Sequence, residues 1–119
     1  LIFSLFYEKE QLNIAFDNAW VGKMQSGGYL TPHIHEKGWI SGAVYLEMPK
    51  NSGVDGQDGA IELSSDGAGY PKLHDDFEKK IILPNVGDVI FFPSSVFHRT
   101  IPFNSDEERI CVAFDVKPA

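Results

Sequence analysis

Three of the four histidines in this 119-residue sequence fall in patterns that suit metal binding. His33 and His35 stand two positions apart in the segment TPHIHE, and His98 follows much later, in GDVIFFPSSVFH. Residues two apart on a β-strand point to the same face, with Cα atoms about 6–7 Å apart. Two imidazoles from one strand and a third from a distant strand would leave coordination positions open for substrate and water. The sequence therefore predicts a catalytic metal site formed by His33, His35 and His98.

Short β-strands separated by turns must position these histidines. Runs rich in Val, Ile, Phe and Tyr alternate with glycine and proline along the chain, which is the usual pattern of strands and turns. The predicted strands are residues 13–16, 19–24, 30–35, 40–47, 60–64, 80–83, 88–92, 98–101 and 109–116, whereas residues 1–12 fit either a strand or a short helix. Eight or nine short strands in one domain predict an all-β sandwich or barrel.

Two segments between the strands read as loops. Residues 49–59 form a turn-rich connector, and residues 65–78 exceed the length at which irregular loops become uncommon. The longer loop is therefore either a functional flap or a disordered segment. His74 lies in it beside Asp75 and Asp76, so we expect this fourth histidine to face solvent.

Length and composition restrict the classes of function. A chain of 119 residues forms one small domain, and ten Lys and Arg against seventeen Asp and Glu give a net charge of −7. Such a chain lacks the basic surface of a nucleic-acid-binding protein. The single cysteine, Cys111, excludes an intrachain disulfide, and no apolar run approaches the roughly 20 residues of a transmembrane helix. We expect a cytoplasmic protein that binds neither nucleic acid nor membrane.

Two strings of the sequence resemble the 2-oxoglutarate/Fe(II)-dependent oxygenases and, more distantly, the prolyl hydroxylases. They are TPHIHEKGWISGAVYL (residues 31–46) and PNVGDVIFFPSSVFHRTIPFNSDEERICVAF (residues 84–114), and the resemblance extends over about residues 20–116. It implies a single-domain double-stranded β-helix, or jelly roll. It also implies a dioxygenase that uses Fe(II), 2-oxoglutarate and O₂, and that couples oxidative decarboxylation of 2-oxoglutarate to hydroxylation of a small molecule or a protein side chain.

The resemblance assigns roles to individual residues. His33 and His98 match the two metal-binding histidines of the family. Arg109, eleven residues after His98, matches the basic residue that binds the far carboxylate of 2-oxoglutarate. Arg109 also lies on the less apolar face of its predicted strand, and a guanidinium offers a carboxylate two parallel hydrogen bonds. Tyr45 matches a tyrosine that donates to the same carboxylate in related hydroxylases, or else is an ordinary buried strand residue.

Two positions depart from the family pattern. The family usually has His-x-Asp or His-x-Glu, whereas here His35 takes the place of the carboxylate, so three neutral imidazoles would leave an Fe(II) site one charge more positive. We expect His35 to be the third ligand, with the neighbouring Glu36 as the alternative. Cys111 stands where many members have a serine that binds the cosubstrate. A thiol makes weaker hydrogen bonds, and a small buried apolar role is the alternative.

Two other functions remain open from the sequence. A cupin-type metalloprotein with three histidines would act as a dioxygenase or isomerase without 2-oxoglutarate, and Arg109 would then be incidental. A non-catalytic jelly-roll binding module would use neither metal nor cosubstrate. In the oxygenase, Trp20, Trp39 and the loop of residues 65–78 are candidates to line a substrate entrance.

The expected division of the chain follows from the resemblance. Residues 20–119 are close to what a minimal jelly-roll oxygenase core requires. We therefore expect residues 1–19 to be a short N-terminal segment of a longer protein. Edge strands of a small barrel can pair between subunits, so a homodimer is also expected to be accessible.

Overall fold

The computed structural model describes residues 13–50 and 55–119, and these form eight β-strands and no helix. The strands are β1 (Ile14–Met24), β2 (Leu30–His33), β3 (Ile40–Glu47), β4 (Ile61–Ser64), β5 (Lys79–Ile82), β6 (Val89–Pro93), β7 (Phe97–Thr100) and β8 (Arg109–Pro118). The all-β prediction is confirmed. Residues 1–12, for which the sequence fits strand or helix, lie outside the described part. Within that part, no helix has the length and apolar character to cross a membrane.

The strands form two antiparallel four-stranded sheets. One sheet has the order β1-β8-β3-β6 and the other has the order β2-β7-β4-β5. A cavity is lined by residues of both sheets, including Ala43 and Cys111 from the first and Ile61 and His98 from the second. The interior between the sheets therefore contains space for a ligand, with the predicted metal ligands on its wall.

The structure corrects the prediction at β1. Residues 13–16 and 19–24 were expected to form separate strands, yet β1 pairs with β8 continuously from Ile14 to Met24. The pairing register shifts between Phe16 and Asn18, so that Asp17 is the extra residue of a β-bulge. A bulge accommodates one unpaired residue without ending the strand. The polar residues Asp17 and Asn18 therefore do not divide β1 into two strands.

The connection between β6 and β7 follows the sequence pattern closely. Gly87 has a φ of 93°, a left-handed conformation that favours glycine, and β6 begins two residues later and ends at Pro93. The N–H of Val96 donates to the carbonyl of Pro93 over 2.9 Å, which closes the turn before β7. This turn places His98 directly opposite His33, because the two are paired across β7 and β2.

An ion pair with a buried carboxylate holds β7 against β4. Glu62 is 6% exposed, and its carboxylate accepts a hydrogen bond from Arg99 Nη2 over 2.7 Å. Lys79 Nζ lies 3.6 Å from the other carboxylate oxygen. The hydrogen bond from Arg99 is the main reason that the pKa of Glu62 lies below its usual value of 4.5. The pair therefore stabilises the strand that carries His98.

Glu62→Gln is expected to lower stability by about 1 kcal/mol at neutral pH, since Arg99 is partly exposed and screened. Because the folded-state pKa of Glu62 is depressed, its stabilisation is present above pH 4.5 and is lost as the pH falls through the folded pKa. Thermal unfolding followed by circular dichroism over a pH series checks this, with the exposed Glu47→Gln as control. A stability difference that did not shrink in acid would contradict it.

Candidate metal centre

The three predicted histidines converge at one point of the interior. The candidate ligand nitrogens of His33, His35 and His98 all lie within 4.8 Å of one another. The ring centroids of His33 and His98 are 4.2 Å apart, and the ring of His35 lies 5.3 Å and 4.8 Å from them. Three imidazoles at these distances can share one divalent metal ion.

His35 reaches this point by a different route from the one that the spacing predicted. The expected strand of residues 30–35 ends at His33, so His35 does not follow the i, i+2 geometry of a strand. Its backbone N–H donates instead to the carbonyl of Ser94 over 3.0 Å, and Ser94 N–H donates to the carbonyl of Trp39 over 3.1 Å. Contacts with the end of β6 thus position His35.

Hydrogen bonds fix the same tautomer in all three rings. Nδ1 of His33 lies 2.8 Å from the carbonyl of Thr31, and Nδ1 of His98 lies 3.1 Å from the carbonyl of Val96. Nδ1 of His35 lies 2.6 Å from Oδ1 of Asp115. Because carbonyl and carboxylate oxygens only accept, each Nδ1 carries a proton, and in the neutral ring each Nε2 then keeps its lone pair for a metal.

The protonation of the most buried histidine also suits a ligand. The pKa of His98 is lowered to about 4, mainly by burial and to a smaller extent by the neighbouring His33 and His35. His98 is therefore neutral at physiological pH, and its lone pair is available. Neutral imidazoles bind Fe, Ni, Cu and Zn well, so the residues fit a divalent transition metal.

The carboxylate next to the histidines is Asp115, and Glu36 has a different position. Glu36 is exposed, accepts a hydrogen bond from the hydroxyl of Tyr70 over 3.3 Å, and is no member of the histidine group. Asp115 is 7% exposed and bonds His35 directly. The alternation of residues 109–116 puts Asp115 on the same strand face as Arg109. That alternation was the available signal.

The histidines line a cavity of about 220 Å³ that extends through the interior from these residues to Arg109. The side chains of Tyr45, Arg109 and Cys111 line the same cavity, together with Ile61 and Phe92. The less apolar face of β8 therefore points into the cavity. One cavity therefore connects the three histidines with a buried cation.

Arg109 is buried in this cavity without a carboxylate partner. It is 3% exposed, and its Nε donates to the carbonyl of Gly59 over 2.8 Å. Its guanidinium lies 5.1 Å from the ring centroid of Tyr45, and Nη1 lies 3.8 Å from Sγ of Cys111. None of the ion pairs among residues 13–50 and 55–119 includes Arg109. A buried guanidinium in this state favours an anionic ligand.

Tyr45 supplies a neutral donor beside this cation. Tyr45 is 1% exposed, and its burial raises its pKa to about 12, although the nearby Arg109 acts in the opposite direction. The phenol therefore keeps its proton at physiological pH. Arg109 and Tyr45 together present charged and neutral donors suited to a carboxylate.

The expected entrance residues divide into two groups. Trp20 lines the cavity, and its ring centroid lies 5.3 Å from that of His35. Tyr70, in the long loop, reaches Glu36 next to His35. Trp39 is 56% exposed and does not line the cavity. His74 in the long loop is exposed, as predicted, and its ring stacks on Phe77.

The sequence model of the family described as "Putative 2OG-Fe(II) oxygenase" matches residues 18–115 of this chain. The chain belongs to this family. The matched part includes every residue of the histidine group and of the Arg109 end of the cavity. No curated protein sequence matches the chain.

Solved structures of 2OG-Fe(II) oxygenases share the fold. An oxidoreductase of this family from Burkholderia pseudomallei has a TM-score of 0.69 and 12% identity, covering 98% of this chain and 49% of its own. A prolyl-4-hydroxylase from Pseudomonas putida has a TM-score of 0.57 and 19% identity, covering 85% and 51%. HygX from Streptomyces hygroscopicus, with nickel and 2-oxoglutarate bound, has a TM-score of 0.60 and 12% identity, covering 89% and 58%.

These likenesses confirm the double-stranded β-helix. At such identities they show the fold alone, and a fold does not determine the reaction of this oxygenase-family chain. The chain also spans only about half the length of the structures that it matches.

Proposed function

We propose that this protein is a dioxygenase dependent on Fe(II) and 2-oxoglutarate that hydroxylates a C–H bond of its substrate. The observation that carries the proposal is the single cavity with three converging imidazoles at one end and a buried guanidinium without a carboxylate partner at the other. A short dicarboxylate with a 2-keto acid end suits these two ends. Membership of the 2OG-Fe(II) oxygenase family supports this ligand.

The chain's residues have distinct proposed roles. His33, His35 and His98 hold the metal through Nε2, and Arg109 binds the far carboxylate of 2-oxoglutarate, with Tyr45 as a second donor. Cys111 packs beside the guanidinium. When bound, Fe(II) with O₂ supplies the oxidising chemistry, in which 2-oxoglutarate becomes succinate and CO₂ while one oxygen atom enters the substrate. The apolar walls, including Phe92 and Ile61, exclude water from this reaction.

Anaerobic titration tests the proposal. Fe(II) is added to the protein, followed by 2-oxoglutarate, and the visible spectrum is recorded. We expect a weak charge-transfer band on adding 2-oxoglutarate and none on adding glutarate, which has both carboxylates but no keto group. Metal binding without any response to 2-oxoglutarate would favour the cupin-type metalloprotein, and failure to bind any metal would leave the non-catalytic module.

Tyr45→Phe is expected to weaken 2-oxoglutarate binding about 10-fold, because a hydrogen bond to a charged group contributes about 1.5 kcal/mol or more. Affinity for Fe(II) alone should stay unchanged, since Tyr45 lies at the guanidinium end. Anaerobic equilibrium titrations measure both constants, and Tyr70→Phe, at an exposed tyrosine that does not line the cavity, is the matched control. Equal affinity for 2-oxoglutarate in the Tyr45 variant and the wild type would remove Tyr45 from the cosubstrate site.

The substrate is proposed to be a small molecule or a protein side chain, and the location to be the cytoplasm. The acidic net charge of −7 supports a partner other than nucleic acid. A single buried cysteine and an Fe(II) centre both suit a reducing compartment.

A further inference from the structure

We propose that Asp115 is a positioning residue of the metal centre, which orients His35 and supplies the negative charge that three neutral imidazoles lack. This inference rests on the proposed function, because it concerns the same metal site. The family's usual site has two histidines and one carboxylate as ligands. Here the carboxylate would not bind the metal itself but would be hydrogen-bonded to His35, one of the metal ligands.

The first support is a set of hydrogen bonds that converge on one carboxylate oxygen. Oδ1 of Asp115 accepts from His35 Nδ1 over 2.6 Å and from the hydroxyl of Ser41 over 2.5 Å. Ser41 Oγ also lies 2.8 Å from Ser94 Oγ. Because the single hydroxyl hydrogen of Ser41 points at Asp115, Ser94 is the donor to Ser41. The chain Ser94, Ser41, Asp115 therefore holds the carboxylate in place against His35.

The second support is that this network is built into the packing of three strands. Ser41 belongs to β3 and is 1% exposed, Ser94 directly follows β6 and is 1% exposed, and Asp115 belongs to β8. A Cβ on Gly38 would lie 2.6 Å from Ser94 Oγ and 3.2 Å from Asp115 Cβ. The segment after His35 thus has no room for a side chain at position 38, and its backbone packs directly against Ser94 and Asp115.

The third support is the difference between His35 and the other two histidines. His33 and His98 direct Nδ1 at backbone carbonyls, whereas His35 alone directs Nδ1 at a carboxylate. Within the described residues, no Lys or Arg pairs with Asp115. A buried carboxylate needs a compensating positive charge, and a metal bound to Nε2 of His35 would supply it through the ring.

The charges then balance as in the usual site. A divalent metal with three neutral imidazoles keeps a charge of 2+, and one carboxylate among the ligands would reduce it to 1+. With Asp115 hydrogen-bonded to His35, the metal, the three rings and the carboxylate again total 1+. A carboxylate behind a histidine ligand also raises the basicity of that ligand.

Asp115→Asn tests the charge with little change of shape. We expect Fe(II) affinity to fall by about 10- to 100-fold, as for other residues that support a metal ligand. In the Co(II)-loaded protein the ligand-field absorption bands should shift as well. Glu62→Gln, which neutralises another buried carboxylate that pairs with Arg99 outside the cavity, is the control. In a His35→Ala background, Asp115→Asn should have no further effect on metal affinity.

The outcomes separate this inference from the proposed function. A wild-type protein that binds no metal overturns both. A wild-type protein that binds Fe(II), with an Asp115→Asn variant of equal affinity and unchanged Co(II) spectrum, overturns only the role of Asp115. If the variant fails to fold, NMR of the Zn(II)-loaded wild type decides. The Nδ1 proton of His35 is expected downfield of those of His33 and His98, and its absence there would overturn the inference.

Discussion

His98→Ala is expected to abolish stoichiometric Fe(II) binding. The variant removes one of three nitrogens that lie within 4.8 Å of one another, and the site keeps only two imidazoles. Loss of a residue that merely supports a ligand weakens metal binding about 10- to 100-fold, so loss of a ligand should weaken it by more than about 100-fold. Equilibrium dialysis under anaerobic conditions, with iron measured per chain, gives the result.

His74→Ala is the matched control for this prediction. His74 is exposed and stacks on Phe77, away from the three histidines, so its removal should leave iron stoichiometry unchanged. In the wild type, metal at 100 times its dissociation constant should raise stability by about 2.7 kcal/mol, and this gain should vanish in His98→Ala. A folded His98→Ala variant that retains one iron per chain would show that the metal lies elsewhere.

The strands were predictable because short-range patterns decide them. The strand at residues 40–47 has the predicted bounds, and β8 begins at the predicted Arg109. The alternation of apolar and polar residues can be read from neighbouring residues alone. It predicts the strands because packing of the two sheets buries one face of each strand. Asp17 marks the limit of that reasoning, because a bulge is fixed by pairing with β8 and has no sign in the residues around it.

The candidate site shows the same division between local and tertiary causes. The opposition of His33 and His98 follows from strand and turn signals, with Gly87 and Pro93 around β6. The position of His35 does not follow from local signals, because hydrogen bonds with Ser94 and Asp115 set it. These two residues lie 59 and 80 positions further along the chain. A sequence pattern can thus name a ligand while the cause of its orientation lies in packing.

Arg109→Ala is expected to lower the affinity for 2-oxoglutarate by about 30-fold to about 4,000-fold. Loss of one partner of a buried, hydrogen-bonded charge pair costs about 2–5 kcal/mol, and about 1.4 kcal/mol corresponds to a factor of ten. Arg109 is 3% exposed, so water cannot replace its guanidinium easily. Arg109→Lys should recover only part of the affinity, since an ammonium lacks the two parallel donors of a guanidinium.

The structure offers a matched control and a matched ligand for this prediction. Arg99→Lys changes the other arginine of the described residues, which pairs with Glu62 outside the cavity, and should leave 2-oxoglutarate binding unchanged. A 2-oxo acid without the far carboxylate, such as 2-oxobutanoate, should bind the wild type and Arg109→Ala equally well. That comparison separates loss of the anchor from damage to the fold, because both ligands need the same intact metal centre.

If Arg109→Ala bound 2-oxoglutarate as tightly as the wild type, the guanidinium would have no part in cosubstrate binding. The cupin-type interpretation, in which Arg109 is incidental, would then be favoured.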